Sequence, residues 1–372
     1  MFNKYKEVVW LSSYPTHYWR KLFCSIEKEK VKKICFVFFS NYNKNIKYEV
    51  GKIPNNSILL DCFYKIFIFF YLIISKPPKL LIIQGYEILP KFLILLLCCF
   101  KNIPFCFWGD TNYLIIKKQN FLFKIIKKLI LKKIFLRAKK ILYIGERNKN
   151  YYSWLFNYNL DKNKFFFLPY PTYVNSKFFL KKKNNNKKNF NIIYVGRLAK
   201  EKSLVNFFKS LLELKSDILK KLDVKIFGNG KEELKLKNFI KINNLNKTVK
   251  FFDSVKSSEV HNCFAKADLF ILPSDKEPWG LVVNESIYYG VPILCMHSVG
   301  AAKDLIVNKK NGYLMKSNNP VEISNFIKNI YLERDKKKNT KFFGKAYLNK
   351  KSFSFETAKN QTIKLIDQCY KI

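Results

Sequence analysis

The sequence predicts an α/β protein whose strands form doubly wound parallel sheets. Short apolar runs alternate along the chain with longer segments that are compatible with helices, as they do in β-α units. Most of these runs end in polar or glycine-containing loops, which is typical of strands that lead into helices. The chain has 372 residues, 48% of them hydrophobic, which is enough for two domains that each bury a core.

In the first half, four apolar runs are predicted to be strands, at residues 7–12, 33–39, 80–84 and 104–108. Polar loops follow three of them, and this favours a parallel sheet. Two more apolar runs follow Lys65 and Lys91 and end at Lys76 and Lys101. A membrane span needs roughly 18 or more apolar residues in a row, so we expect these two runs to be buried strands or helices.

Residues 117–140 form a basic and apolar segment. It holds ten lysines and arginines and no acidic residue, and its apolar residues recur near the helical period. We expect one amphipathic basic helix or a helix pair. Such a helix can lie on an anionic bilayer, or it can pack on the sheet with its lysines in water, and the pattern leaves both possibilities open.

A low-complexity stretch at 181–189, KKKNNNKKN, is the best domain boundary. We place one domain at 1–180 and a second at 190–345, and we expect the helix-compatible tail at 346–372 to cross back to the first domain. In the second domain the alternation is regular. Strands are predicted at 191–195, 224–227, 249–252, 269–272 and 293–296, and helices at 203–214, from 231, at 257–265 and at 281–289.

The net charge of +42 is compatible with nucleic acid, an anionic membrane or a phosphorylated ligand as partner. The excess is spread over both halves, however, and A/T-rich codon usage also raises lysine and asparagine together. The nine cysteines form no CxxC pair, and the three histidines are not spaced with them as zinc ligands usually are. We therefore expect reduced thiols, no metal site and, without a visible secretory signal, a cytoplasmic protein.

Four loops of the second half end strands on one edge of the predicted sheet. They offer cations at Arg197 and Lys202, glycines at Gly228 and Gly230, and two carboxylates, Glu277 and Glu285, eight positions apart. The fourth loop is 298–302. Cations and helix N-termini suit a diphosphate, while carboxylates suit sugar hydroxyls, so together they predict a nucleotide-sugar pocket. The alternative is that these two residues bind no ligand, with Glu277 a solvated charge in a loop and Glu285 a residue on the surface of a helix.

The motifs YVGRLAKEKSL at 194–204, IFGNG at 226–230, ADLFILPS at 267–274, KEPWGLVVNES at 276–286 and GVP at 290–292 carry a family resemblance. The second half resembles the nucleotide-sugar-binding domain of the family-4 retaining glycosyltransferases. The resemblance implies the GT-B fold, with two Rossmann-like domains facing a cleft. The N-terminal domain would bind the acceptor and the C-terminal domain the donor.

The resemblance also implies roles for individual residues. Arg197 and Lys202 would bind the donor diphosphate, and Glu277 would face the donor sugar, so these three are the catalytic candidates. Further donor-binding candidates are Gly196, Gly228, Gly230, Gly280, Leu281 and Glu285, the last of these on the ribose. No cofactor and no catalytic metal is implied, because the donor substrate itself brings the nucleotide.

Some positions depart from the family pattern. The loop after the first strand is SSYPTH rather than a double glycine, and His17 in it is an acceptor-side candidate. Asp110, after a first-half strand, is a second one. Asp304 stands where the family often has a glutamate.

We therefore expect a retaining glycosyltransferase that acts on a saccharide or lipid-linked acceptor, in surface polysaccharide or lipopolysaccharide synthesis. It would be cytoplasmic and would touch the inner face of the plasma membrane through 117–140. An inverting GT-B transferase or a sugar-nucleotide epimerase is the nearest alternative. A basic nucleic-acid-binding protein is the alternative from another class, and the diffuse charge disfavours it, so no nucleic-acid partner is expected.

Overall fold

The computed structural model describes residues 4–29, 34–40, 53–117, 119–159, 161–172, 189–256, 259–333 and 351–370. Contacts between Cα atoms divide the chain into two compact units. One unit comprises Met1–Tyr173 and Phe353–Ile372, and the other comprises Val174–Ser352. The predicted boundary at 181–189 lies, except for its last residue, outside the described residues. The assignment of an acceptor domain and a donor domain stays a prediction.

The first unit contains a seven-stranded sheet in the order β3-β2-β1-β4-β5-β6-β7, and every neighbouring pair in it is parallel. The central strand β1 places Val9 opposite Cys35 on one side and Leu81 on the other. Its strands are β1 Val8–Ser12, β2 Ile34–Phe38, β3 Ser57–Leu59, β4 Leu80–Gln84, β5 Phe105–Trp108, β6 Lys140–Tyr143 and β7 Phe165–Phe167. The four predicted strands are confirmed, whereas β3, β6 and β7 were not predicted.

The helices of the first unit cover both faces of its sheet. Its helices are α1 His17–Lys28, α2 Phe63–Ser75, α3 Leu89–Lys101, α4 Tyr113–Lys117, α5 Phe121–Arg137, α6 Glu146–Leu155 and, near the C-terminus, α14 Phe355–Tyr370. On one face, Val9 shares a core with Phe69 of α2, Ile94 of α3 and Phe135 of α5. On the other face, Phe23 of α1 packs against Trp10 of β1, with the ring centroids 5.2 Å apart.

Helix α14 belongs to the first unit although it follows the second unit in the chain. It packs against α1, and Lys359 forms an ion pair with Glu29. Near its end, Sγ of Cys369 lies 3.8 Å from Sγ of Cys106 in β5. These contacts attach the tail to the first sheet.

The expectation that the apolar runs after Lys65 and Lys91 are buried is wrong in part. They form α2 and α3, which have buried faces, but both helices also present large apolar side chains to water. Phe63 is 84% exposed and Phe100 is 80% exposed. The physical reason is that each helix is apolar on nearly all sides, while only one side can contact the sheet.

The basic segment at 117–140 contains one long helix, α5, so the expectation of a single helix is confirmed and the alternative of a helix pair within the segment is wrong. Only the last residue of α4, Lys117, belongs to the segment, and Lys140 already begins β6. Helix α4 ends at Lys117, and α5 starts after Asn120, whose side-chain oxygen accepts a hydrogen bond from the backbone N–H of Leu122 at 3.0 Å. Asparagine is a favoured N-cap because its side chain satisfies a backbone donor that has no partner within the helix. Among the described residues, no helix is long and apolar enough to cross a bilayer.

The second unit contains a six-stranded parallel sheet in the order β10-β9-β8-β11-β12-β13. Its strands are β8 Phe190–Val195, β9 Leu222–Phe227, β10 Val249–Phe252, β11 Leu269–Leu272, β12 Ile293–Met296 and β13 Gly312–Met315. Its helices are α7 Leu204–Leu212, α8 Ser216–Leu219, α9 Glu233–Ile242, α10 Val260–Ala265, α11 Leu281–Tyr288, α12 Ala302–Leu305 and α13 Pro320–Leu332. All five predicted strands are present, and β13 is additional.

Each sheet has one point at which the strand order reverses. In the first unit this point lies between β1 and β4, and in the second unit between β8 and β11. Ligands of open α/β sheets bind beyond the carboxyl ends of the strands at such a point. A ligand site in the second unit is therefore expected at the loops after β8 and β11.

Candidate functional site

Lys202 and Glu277 meet at the reversal point of the second sheet. Lys202 ends a short 3₁₀ helix after β8, and Glu277 lies in the loop after β11. Nζ of Lys202 donates a hydrogen bond to Oε2 of Glu277, and the two side chains are only 10% and 14% exposed. Two charged side chains with so little access to water are expected to pair, because a buried charge without a partner is energetically costly. This burial contradicts a solvated Glu277.

The loops after β8 and β9 are joined through their backbones. The N–H of Leu198 donates to the carbonyl of Asn229 at 2.9 Å, and the N–H of Glu232 donates to the carbonyl of Leu198 at 3.1 Å. Glycine makes this approach possible. A Cβ at Gly228 would lie 1.9 Å from the carbonyl oxygen of Gly196, and one at Gly230 would lie 2.2 Å from that of Leu198. Three of the four predicted donor-site glycines, Gly196, Gly228 and Gly230, thus belong to one pair of joined loops.

A second backbone junction joins the Glu277 loop to the loop after β12. The N–H of Gly300 donates to the carbonyl of Glu277 at 3.1 Å, and the N–H of Ala301 donates to that of Trp279 at 2.9 Å. A Cβ at Gly300 would lie 1.8 Å from the carbonyl oxygen of Pro278. The backbone at Glu277 is therefore held in place by the loop after β12 as well as by its own strand, β11.

Asp275 connects three parts of the same edge. Its Oδ2 accepts from the hydroxyl of Ser203 at 2.7 Å, and its Oδ1 accepts from Nδ2 of Asn318 at 2.9 Å. Its backbone N–H also donates to the carbonyl of Glu201 at 2.9 Å. Asp275 was not predicted as a site residue. Its position two residues before Glu277 is a signal in the sequence, but its partners are far away in the chain.

Helix α11 begins within the site. Gly280 caps it with φ 90°, a left-handed conformation that favours glycine, and Leu281 is its first residue. The first N–H groups of a helix have no acceptor within the helix and attract anions. Glu285 lies one turn further on and is 7% exposed, so the alternative of a surface Glu285 is contradicted. The pKa of Cys263 is raised to about 12, mainly by burial and secondly by the negative charge of Glu285.

Arg197 occupies a different environment from Lys202. Its side chain is 52% exposed and pairs with Glu201 at 3.3 Å, four positions further along the loop. The hydroxyl of the buried Tyr194 donates to the backbone carbonyl of Arg197 at 2.8 Å. The backbone of Arg197 is thus held while its guanidinium group remains accessible to a ligand. Asp304, the position that departs from the family pattern, lies in α12.

In the first unit, polar residues gather at the reversal point of its sheet. The hydroxyl of Ser13, after β1, donates to Oε1 of Glu87, after β4. Nζ of Lys91 donates to the same oxygen at 2.7 Å. Burial lowers the pKa of Lys91, although Glu87 acts in the opposite direction. Glu87 and Lys91 were not predicted as site residues. The sequence does place these opposite charges four positions apart where α3 begins, a spacing at which two side chains can pair.

The two acceptor-side candidates lie in the first unit. Asp110 follows β5 and accepts a hydrogen bond from the hydroxyl of Tyr170 at 2.9 Å. His17 is the first residue of α1. Burial, together with the positive charges of Lys21 and Arg20, lowers the pKa of His17 from 6.5 to about 3. Among the residues that the structure describes, no group of three or more His, Cys, Asp or Glu could hold a metal ion.

Comparisons with known proteins agree with this geometry. Residues 175–347 match the family model described as "Glycosyl transferases group 1". The chain is 32% identical over 138 residues to an uncharacterized glycosyltransferase of Haemophilus influenzae, an alignment that covers 36% of this chain and 37% of that protein. It is 27% identical over 157 residues to the sulfoquinovosyl transferase SQD2 of Arabidopsis thaliana, covering 42% of this chain and 28% of that one.

Solved structures extend the likeness to the whole chain at the level of fold. Anabaena HepE in complex with UDP and glucose superposes with a TM-score of 0.71 and 14% identity, covering 97% of this chain and 99% of that chain. The lipopolysaccharide outer core galactosyltransferase WaaB superposes with a TM-score of 0.66 and 14% identity, covering 96% and 99%.

The two α/β units, with their seven- and six-stranded parallel sheets, define a protein of the GT-B fold class. The predicted fold class is therefore confirmed. Residues 175–347, which lie in the second unit, are similar to the glycosyl transferases group 1 family, in agreement with the sequence motifs.

Proposed function

We propose that the protein is a glycosyltransferase that takes a sugar from a nucleotide-diphosphate sugar bound by the second unit. The observation that carries the proposal is the buried pair of Lys202 and Glu277 at the reversal point between β8 and β11. A cation, a carboxylate and the start of α11 converge there, which suits a ligand that has both phosphates and hydroxyls. The match of residues 175–347 to the model of the glycosyl transferases group 1 family supports the same function.

In this proposal the donor separates the ion pair. The diphosphate takes Lys202 as its partner, and Glu277 is released to accept hydrogen bonds from the sugar hydroxyls. The exposed guanidinium group of Arg197 contacts the diphosphate from the solvent side. The backbone N–H groups of Gly280 and Leu281 lie near a phosphate at the start of α11. Glu285, in the second turn, holds the ribose hydroxyls.

The chemical step breaks the bond between the anomeric carbon and the diphosphate oxygen. Negative charge develops on the departing nucleoside diphosphate, and the preorganised cations Lys202 and Arg197 stabilise it. The acceptor hydroxyl attacks from the same face of the sugar, so the anomeric configuration is retained. The acceptor proton leaves to the departing phosphate. This proposal requires no catalytic metal or cofactor.

The acceptor is proposed to be a saccharide or a lipid-linked sugar, with His17 and Asp110 on the acceptor side. A role in surface polysaccharide or lipopolysaccharide synthesis, in the cytoplasm, follows the same proposal. The likeness to WaaB, named as a lipopolysaccharide outer core galactosyltransferase, supports it as an analogy of fold.

Thermal shift with a panel of nucleotide sugars tests the donor assignment first. HepE binds UDP, so uridine donors lead the panel, and guanosine, adenosine and thymidine donors follow. We expect one base to raise the melting temperature of the wild type and to have a smaller effect on Lys202→Ala. No stabilisation by any nucleotide sugar would contradict the proposal.

Two other functions give different results. An inverting transferase gives the opposite product anomer by NMR, and an epimerase changes the donor sugar without an acceptor. A nucleic-acid-binding protein shows tight binding to RNA that falls steeply with salt, together with no response to nucleotide sugars. The alignments cover 37% and 28% of the lengths of the curated relatives reported above, so the activity of the whole protein rests on these measurements.

A further inference from the structure

Three neighbouring helices of the first unit share one solvent-exposed apolar face. Helix α3 contacts α2 on one side and α5 on the other. All three pack on the same side of the sheet, through Phe69, Ile94 and Phe135. Their opposite sides carry exposed apolar residues at helical spacing, which we call the outer apolar face: Phe63, Phe67, Tyr71 and Ile74 on α2, Leu89, Leu93, Leu96 and Phe100 on α3, and Leu122, Ile126, Leu129 and Leu136 on α5.

This face is unlike an ordinary protein surface. Single exposed apolar residues are common, but contiguous exposed apolar patches on soluble monomers are small and usually mark an interaction site. Here the residues recur at three- and four-residue spacing on α2 and α3, and on α5 they do so up to Leu129, with Leu136 two turns further along. Such a stripe is the part of a helix that normally packs against something. The outer apolar face is therefore built for a partner.

The charges around this face select the kind of partner. Helices α2, α3 and α5 contain no aspartate or glutamate. Lysines and an arginine flank the apolar stripes, and Lys101, Lys133 and Arg137 are exposed. Asp61, two residues before the start of α2, is paired with Lys65 at 2.6 Å. A second copy of this chain would bring the same positive charges face to face in a symmetric dimer, which is unfavourable.

We propose that the outer apolar face of α2, α3 and α5 docks the first unit onto the surface of an anionic lipid bilayer. The aromatic and aliphatic side chains enter the boundary between headgroups and acyl chains, and the lysines contact anionic headgroups. Helices α2 and α3 supply most of the large aromatic side chains and α5 most of the charge. The contact therefore extends well beyond the basic segment at 117–140.

Flotation of the full chain with vesicles tests this assignment. We expect the wild type to float with vesicles of 70% phosphatidylcholine and 30% phosphatidylglycerol, and several-fold less with phosphatidylcholine alone. The variant Phe63→Ser/Phe67→Ser/Phe100→Ser should lose most of its binding to both vesicles. The variant Lys101→Gln/Lys133→Gln should lose mainly the preference for the anionic vesicles.

The matched control lies in the second unit. Leu234 and Ile242 of α9 are 79% and 78% exposed, close to Phe63 and Phe100, but they are not part of the outer apolar face. The variant Leu234→Ser/Ile242→Ser should float like the wild type. Melting temperatures check that all variants fold, which is expected because the substituted side chains are exposed. Nucleotide-sugar binding should be unchanged in every variant, so this test is independent of the proposed function.

Three outcomes would overturn the proposal. The wild type does not float with anionic vesicles, or the serine variant of α2 and α3 floats as well as the control. Alternatively, light scattering shows a wild-type dimer that the serine variant dissociates while flotation is unaffected. In that case a second copy covers the outer apolar face.

Discussion

Lys202 and Glu277 form a buried ion pair although 75 positions separate them in the chain. Parallel pairing of β8 with β11 brings their following loops to the same sheet edge. The two side chains that the sequence assigned to different parts of the donor are thus each other's partners in the structure. Binding of a donor has to replace this contact with contacts of at least similar strength.

Glu277→Ala and Lys202→Ala are each expected to abolish sugar transfer while the fold stays intact. Loss of one preorganised electrostatic contact typically lowers kcat by about 10²–10³-fold. Glu277→Ala should still bind the free nucleoside diphosphate, because Lys202 remains. Lys202→Ala should weaken that binding by about 10–100-fold. Turnover assays and calorimetry measure the two effects separately.

Lys225→Ala is the control for these two variants. Lys225 pairs with Asp223 at 2.9 Å on β9, within the strand rather than in a loop beyond its carboxyl end. Transfer should be unchanged in this variant. Near wild-type turnover of Glu277→Ala would falsify the role given to Glu277.

Asp275→Ala should raise KM for the donor with a smaller effect on kcat. Asp275 contacts Ser203 and Asn318 and no part of the proposed ligand, so it acts by positioning the loop that ends in Lys202. Loss of its two hydrogen bonds should lower the free energy of unfolding by about 1–3 kcal/mol. Asp275→Asn, which retains one acceptor oxygen, should restore part of the donor affinity. Steady-state kinetics and urea unfolding check both effects, and equal losses in kcat for both variants would contradict a positioning role.

Gly228→Ala and Gly300→Ala should destabilise the second unit and weaken nucleotide binding. Their Cβ atoms would lie 1.9 Å and 1.8 Å from backbone oxygens of Gly196 and Pro278, so the joined loops must separate. Overpacking of this kind costs about 1–3 kcal/mol. Thermal unfolding with and without nucleotide measures both consequences. Gly109→Ala in the first unit, where the nearest atoms are side-chain atoms at 3.0 Å, should leave nucleotide binding unchanged.

His17 should make the protein less stable as the pH falls. Its pKa is about 3 in the folded protein against 6.5 for an ordinary histidine, mainly because of burial. Between these values the unfolded chain binds the proton and the folded chain does not, so the free energy of unfolding decreases as pH drops from 6.5 toward 3. Urea unfolding at about pH 7 and about pH 5 should show a larger loss for wild type than for His17→Gln. Identical losses would mean that His17 is not buried in neutral form.

Removal of metal ions should leave transfer unchanged. In the proposed mechanism Lys202 and Arg197 supply the positive charge that a divalent cation would otherwise supply, so excess EDTA should not lower kcat. The measurement is the initial rate with and without EDTA, followed by addition of magnesium or manganese. A rate that disappears with EDTA and returns with one of these ions would contradict the assignment of charge stabilisation to the side chains.

Three strands of the second unit were predictable because they are buried on both faces, and β9 and β10 because polar loops and helical segments alternate regularly with them. A strand covered on both faces is a continuous apolar run, and β8, β11 and β12 are such runs between polar loops. In the first unit the three-residue strands β3 and β7 leave almost no pattern to detect. The exposed faces of α2 and α3 were missed for a different reason. Their composition indicates apolar helices but does not tell which sides the rest of the protein covers.

The sequence by itself determined the β-α alternation, the fold class and the resemblance of the second unit to a glycosyltransferase family, because these depend on local patterns and on motifs contiguous in the chain. Only the tertiary structure decided which side chains meet. The order of strands and the packing of helices bring Lys202 to Glu277. They also bring Asp275 to Ser203 and Asn318, and they create the outer apolar face. Those are relations between distant segments, and no local pattern of residues specifies them.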